Sequence, residues 1–153
     1  MSAEELSLEM PAAHSAARAA RGIVRQFAGN LRIAGEDLDT LVLIADELLT
    51  NAVDHGGGRG TLDEKDLHAP VRMRLELVVR PNEWELRVSD QGGGDPAVLD
   101  EMMHPKDLPN LEDERGRGFF LMAQMVDSIA VRRSDDGAGL CVIVKRHHGA
   151  QPR

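Results

Sequence analysis

A chain of 153 residues with 42% hydrophobic side chains can bury one core but is short for two, so a single domain over 1–153 is expected. A formal net charge of −8 argues against bulk attraction to nucleic acid or an anionic membrane, both of which demand a basic surface. One cysteine provides no disulfide framework, no stretch approaches the ~20 apolar residues of a membrane span, and the acidic start lacks the plan of a signal peptide. A cytoplasmic protein is expected.

In chain order, Leu6, Leu8 and Met10 alternate with polar residues before Pro11, as in a half-buried edge strand. Residues 12–29 read as a first helix, with Ile23, Val24 and Phe27 at helical spacing. Arg18, Arg21 and Arg25 recur on it as a stripe whose plain reading is a solvated face. After a turn at Gly35, a second helix is predicted over 36–54. Leu38, Leu41, Val42, Ala45, Leu48, Leu49 and Ala52 give it an apolar stripe, and Glu47 and Asn51 stand one turn apart at the stripe's edge, where a pocket can open. Asp54 opposes the helix dipole and is expected to face water, while His55 beside glycines reads as a capping or loop-fixing group.

Gly56–Gly60 ends that helix, and 61–70 reads as an exposed loop. The stretches 71–80 and 83–90 alternate around Pro81-Asn82, which predicts an antiparallel hairpin whose second strand delivers Asp90 to the sheet edge. Asp90-Gln91-Gly92-Gly93-Gly94 follows as Asp-x-Gly-x-Gly, a pattern that lets backbone pass close to a ligand and that alone reads as a tight turn. A short helix over 96–103 precedes a polar segment, 104–114, with Pro105, Pro109 and acidic 112–114, which reads as a mobile lid. Arg115-Gly116-Arg117-Gly118 then leads into an apolar helix from Gly118 to Val126. Free N–H groups and the dipole at such a helix start suit a polyphosphate. Strands over 128–133 and 140–145 close the chain around a Ser-Asp-Asp-Gly turn, with Cys141 a buried thiol and 148–153 a frayed tail. This order predicts an α+β two-layer sandwich, with a mixed, mostly antiparallel sheet carrying helices on one face.

The three motifs, in this order, resemble the Bergerat-fold ATPases, the superfamily of gyrase, the Hsp90 chaperones, histidine kinases and MutL. Gly118-Phe119-Phe120-Leu121-Met122 followed by Met125-Val126-Asp127 resembles the bacterial anti-sigma-factor serine kinases in particular, and the likeness runs from Leu6 to His147. It implies ATP or ADP with Mg2+ as the ligand. Asp90 would accept the adenine amino hydrogen, with Gly92 and Gly94 passing close by. Asn51 would ligate magnesium, and the backbone of Gly116 and Gly118 would hold phosphates, with Arg115, Arg117 and Phe119 beside them. Glu47 would act as general base and His55 would support the site. Arg21 falls where these kinases carry an arginine facing sigma factor and antagonist, and the resemblance also implies a homodimer. The expected activity is a protein-serine kinase that sequesters a sigma factor and phosphorylates an anti-sigma-factor antagonist; the alternative is a non-catalytic nucleotide-binding module for partner switching. A repair or chaperone ATPase would need a further transducer domain. Two departures stand out: Gly139-Leu140-Cys141 lacks the family's threonine hydroxyl near adenine, and the acidic lid adds charge where a triphosphate would sit.

Overall fold

The computed structural model describes residues 3–56, 72–91, 114–135, 137 and 139–148; for His55, Gly56, 114–117 and Phe119 it describes the backbone alone. The expected loop at 61–70, Gly92, Gly94, the short helix at 96–103 and the lid up to residue 113 lie outside the described residues.

Alternation of apolar and polar residues produces five strands: β1 (Glu4–Pro11), β2 (Arg72–Arg80), β3 (Glu83–Ser89), β4 (Ser128–Arg133) and β5 (Leu140–His147). They form one sheet in the order β1-β2-β3-β5-β4. β1 and β4 are its edges. All four pairings are antiparallel, so no parallel pair of the kind a mixed sheet implies occurs among the described strands. The register aligns Leu77 with Leu86 and Leu86 with Val144, which places one apolar row across three strands on a single face. Helices α1 (His14–Asn30) and α2 (Gly35–Asn51) cover that face, and α3 (Glu114–Gln124) contacts α2. Ala17, Ala20, Val24 and Ala28 of α1 and Leu41, Ile44, Ala45, Leu48 and Leu49 of α2 join Trp84, Leu75 and Leu86 in one core.

The opposite face carries the other half of the alternation. Its rows include Glu76, Arg87 and Ile143, and no described helix covers it. Glu85 breaks the pattern, because it belongs to this polar face and is nevertheless buried.

Local chemistry sets the boundaries. α1 closes with Ile33 N–H donating to Ala28 O at 3.1 Å and Arg32 N–H donating to Gly29 O at 3.1 Å, with Arg32 at φ 72°. That is a Schellman close in which an arginine occupies the left-handed position that glycine usually takes. Buried Ile33 supplies the accompanying apolar contact. A π turn, Ala52–Gly56, prolongs α2. It brings Asp54 Oδ1 within 2.9 Å of His14 Nε2, so Asp54 is paired with α1 rather than simply facing water.

The tail also departs from expectation at its first residue. His148 is buried; its N–H donates to Asn82 O at 3.0 Å and its Nε2 lies 2.7 Å from Arg80 O. The β2–β3 turn therefore anchors a residue predicted to fray. Arg146 acts similarly beside it, donating to Met125 O and, at 3.3 Å, to Asp37 Oδ1 at the start of α2.

Candidate active site

Burial of Leu41, Ala45, Leu48 and Leu49 fixes the rotation of α2 and leaves Glu47 and Asn51 half-buried at the margin of the core. Asn51 Nδ2 donates to Glu47 O at 2.8 Å. Only the amide nitrogen can donate to a carbonyl, so this bond orients the carboxamide and leaves Oδ1 for another partner. The Glu47 carboxylate lies against α3, where a Cβ added at Gly118 would stand 3.3 Å from Oε2. Burial, and secondarily the charge of neighbouring Asp46, raises the Glu47 pKa above the ordinary carboxylate value. Asp46 itself pairs with Arg21 of α1 at 3.3 Å, so Arg21 sits on the outer side of the α1–α2 pair.

The second cluster surrounds Asp90, one residue beyond β3. Its N–H donates to Leu140 O at 2.9 Å, and its Oδ1 accepts the Leu140 N–H at 3.2 Å. The missing threonine hydroxyl is thus accompanied by a backbone donor that supports the carboxylate directly. Gly139 makes this approach possible, since a Cβ there would lie 2.1 Å from Asp90 O and 2.5 Å from Oδ1. Buried Ser134 holds Gly139 in turn, its Oγ accepting the Gly139 N–H at 3.0 Å and its own N–H donating to Gly139 O at 2.8 Å. Sequence reading passes over Ser134 as an ordinary turn residue and notes Gly139 only for the threonine missing after it, because what distinguishes both is a contact with a distant strand end. Asp90 also borders a cavity of about 260 Å³ that Arg72, Arg74, Ser89 and Gln91 help to line.

Helix α3 starts at Glu114, four residues before the predicted Gly118, so the Arg-Gly-Arg-Gly stretch forms its first turns instead of leading into it. Glycine in a helix costs only about 1 kcal/mol relative to alanine, and Met122 in the same helix is buried in the core. The unpaired N–H groups of an α-helix belong to its first turn. Gly116 and Gly118 both lie near the start of this helix. His55 falls in the π turn and Phe119 in α3.

The structure therefore brings Glu47, Asn51 and Gly118 together, and separately gathers Asp90, Gly139, Leu140 and Ser134. Among the described residues, no group of three or more His, Cys, Asp or Glu side chains could hold a metal. The donor chemistry of Asn51 Oδ1 nevertheless suits magnesium, which takes most of its shell from phosphate oxygens and water.

The α+β domain thus carries a half-buried acid one turn from an oriented carboxamide and, separately, an aspartate fixed at the end of a strand. The family described as Histidine kinase-like ATPase domain matches residues 10–145. The chain is 30% identical over 133 residues to the anti-sigma F factor of Clostridium acetobutylicum, covering 83% of this chain and 82% of that protein. It is 28% identical over 128 residues to the DNA mismatch repair protein MutL of Rippkaea orientalis, covering 74% of this chain but only 20% of MutL. The chain thus spans about a fifth of that repair protein's length. In fold it is similar to a chain of the SiaB–SiaC complex from Pseudomonas aeruginosa, with TM-score 0.62 and 10% identity over 93% of this chain and 89% of that one. The chain belongs to the histidine kinase-like ATPase family, in its anti-sigma-factor branch. No described helix is long and apolar enough to cross a membrane.

Proposed function

We propose that this protein is a cytoplasmic, single-domain, ATP- and magnesium-dependent anti-sigma factor. It sequesters a sigma factor and phosphorylates a serine of an anti-sigma-factor antagonist, working as a homodimer. The observation that carries the reading is the Glu47 carboxylate, half-buried, raised in pKa and one helical turn from Asn51.

Asp90 would hold the adenine amino group, its carboxylate already fixed by Leu140. Asn51 Oδ1 would hold magnesium, which when bound neutralises charge on the phosphate oxygens. The start of α3, with Gly116 and Gly118, would face the phosphates, and Arg115 and Arg117 would offset the acidic segment before them. Glu47 would take the proton of the incoming serine hydroxyl as that oxygen attacks the γ-phosphorus and ADP leaves in line. A carboxylate with raised proton affinity is the better base for this step. Gly92, Gly94, His55 and Phe119 would complete the nucleotide site. Arg21 would contact the partner proteins, whose acidic groups would compete with Asp46 for it.

The test is to incubate the protein with labelled ATP, magnesium and candidate small antagonist proteins, and to assay phosphoserine. Glu47→Gln should lower transfer by ~10²–10⁴-fold while ADP still binds. Transfer at the wild-type rate would remove Glu47 as base. A wild-type protein that binds ATP and sigma factor but transfers nothing would be a sequestering module alone.

A further inference from the structure

We propose that Ser134 is a positioning residue for adenine recognition: its hydroxyl holds the residues that open β5, so that the Leu140 N–H fixes the Asp90 carboxylate and the site prefers a base carrying a 6-amino group. The proposal rests on the reading of Asp90 as the adenine acceptor. It follows from the way two strands grip the start of β5.

The β4–β5 register, carried one step past the pair Arg133 and Leu140, sets Ser134 opposite Gly139. The Ser134 N–H donates to Gly139 O at 2.8 Å, as in an antiparallel ladder, but the return bond differs. The Gly139 N–H donates to Ser134 Oγ at 3.0 Å, while the Ser134 carbonyl accepts the Gly137 N–H at 2.8 Å and closes the turn. The hydroxyl therefore stands in for a carbonyl that the turn has taken. The β3–β5 register, carried one step past Ser89 and Cys141, likewise sets Asp90 opposite Leu140. There the Asp90 N–H donates to Leu140 O at 2.9 Å, and the Leu140 N–H donates to the side-chain Oδ1 at 3.2 Å. Consecutive N–H groups, those of Gly139 and Leu140, are thus held by side-chain oxygens from the strands on either side. Ser134, Gly139 and Leu140 are all buried, so an N–H that loses its acceptor here is costly and the backbone must move to find another. Any such movement passes to the next residue, whose N–H fixes Asp90. The approach leaves no slack to absorb it, since a Cβ at Gly139 would lie 2.5 Å from Asp90 Oδ1.

The discriminating variant is Ser134→Ala, read by calorimetric titration. Its Kd for ADP should rise about three- to tenfold, the effect of one misplaced hydrogen bond, while its Kd for purine riboside diphosphate, which lacks the 6-amino group, should stay within about twofold of wild type. In an Asp90→Asn background the same substitution should raise the Kd for ADP by less than about twofold, because the contact it disturbs is already lost. An unchanged Kd for ADP, equal losses for the two nucleotides, or a full further loss in the Asp90→Asn background would overturn the proposal and leave Ser134 as a residue of the turn alone. Urea unfolding without nucleotide tests the hold on Asp90 independently of any ligand. Ser134→Ala should lower the unfolding midpoint less in an Asp90→Ala background than in wild type, because only the latter has a carboxylate bond to lose. Equal losses in both backgrounds would overturn the proposal. A wild-type protein that binds the two nucleotides equally would remove Asp90 as the adenine acceptor, and one that binds neither would remove the nucleotide reading; in both cases the unfolding comparison would still decide whether Ser134 holds Asp90.

Discussion

Glu47 and Asp90 are carboxylates whose surroundings treat them in opposite ways. Asp90 accepts a backbone N–H at 3.2 Å, whereas Glu47 is partly dehydrated against α3 and repelled by Asp46. At Asp90 the supporting residue is Gly139. A methyl group there would meet backbone at 2.1 Å, and backbone cannot swing aside as the end of a long side chain can. Gly139→Ala should therefore displace Asp90 and weaken ADP binding by about 1–3 kcal/mol, as much as Asp90→Asn. Isothermal titration of both variants checks this, and wild-type affinity in Gly139→Ala would separate the glycine from the adenine site. At Glu47 the raised pKa means that the folded state holds the proton more tightly than the unfolded chain. Stability is therefore lost as pH rises through the folded value, and the cost persists at neutrality. Glu47→Gln should be more stable than wild type to urea at pH 7, with the difference vanishing below about pH 4, where both states of the wild type are protonated. A variant no more stable at pH 7 would show that Glu47 is not dehydrated.

At the scale of elements, β3 carries both the core and a charge cluster. Glu85 points to the helix-free face with only 6% of its side chain exposed, 2.6 Å from Arg87 Nε, 3.7 Å from Arg80 and 3.9 Å from Lys145. Its cations come from β2, from β3 itself and from β5, so one carboxylate ties three neighbouring strands. Glu85→Ala removes that common partner, and should cost about 1–3 kcal/mol in urea unfolding, a range limited by the cations' access to water. A loss below about 0.5 kcal/mol would mean that the arginines simply turn to solvent. The α1–α2 pair is built differently. Arg25–Asp39 at 3.5 Å and Arg21–Asp46 at 3.3 Å run along its exposed side, while Val24, Ala28, Leu41 and Ala45 supply the buried area. Exposed pairs of this kind contribute little stability individually. They leave Arg21 displayed on the surface, where the proposed partner contact needs it.

For the molecule as a whole, the two clusters sit on separate supports, Glu47 and Asn51 on the helical layer and Asp90 on the sheet. A nucleotide that engaged both would bridge the layers. Any ligand that binds the folded chain alone stabilises it by mass action, about 2.7 kcal/mol at one hundred times Kd. For a domain of this size that corresponds to a rise in Tm of roughly 5–10 °C. Thermal unfolding with increasing ADP and magnesium measures it, and Asp90→Asn should need more ADP to reach the same shift. An unmoved Tm at millimolar ADP would contradict a nucleotide site in this fold.

Periodicity along the chain was enough to locate the edge strand, α1, α2, the β2–β3 hairpin and the β4–β5 pair, because the two- and three-to-four-residue rhythms report directly which side chains are buried. Motif spacing similarly pointed to Glu47, Asn51 and Asp90, since residues one helical turn apart must share a face. Other features have no local signal. α3 begins at Glu114 because its packing outweighs the modest helix penalty of two glycines. His148 is anchored by the carbonyls of Arg80 and Asn82, and Asp54 is drawn to His14 by the π turn. Glu85 is buried where alternation predicts exposure, because one cation of its own strand and two from the adjacent strands surround it. The placement of Gly118 on Glu47 and of Gly139 on Asp90 likewise depends on chain segments that meet only after the layers pack, and contacts between such distant segments are decided by tertiary structure alone.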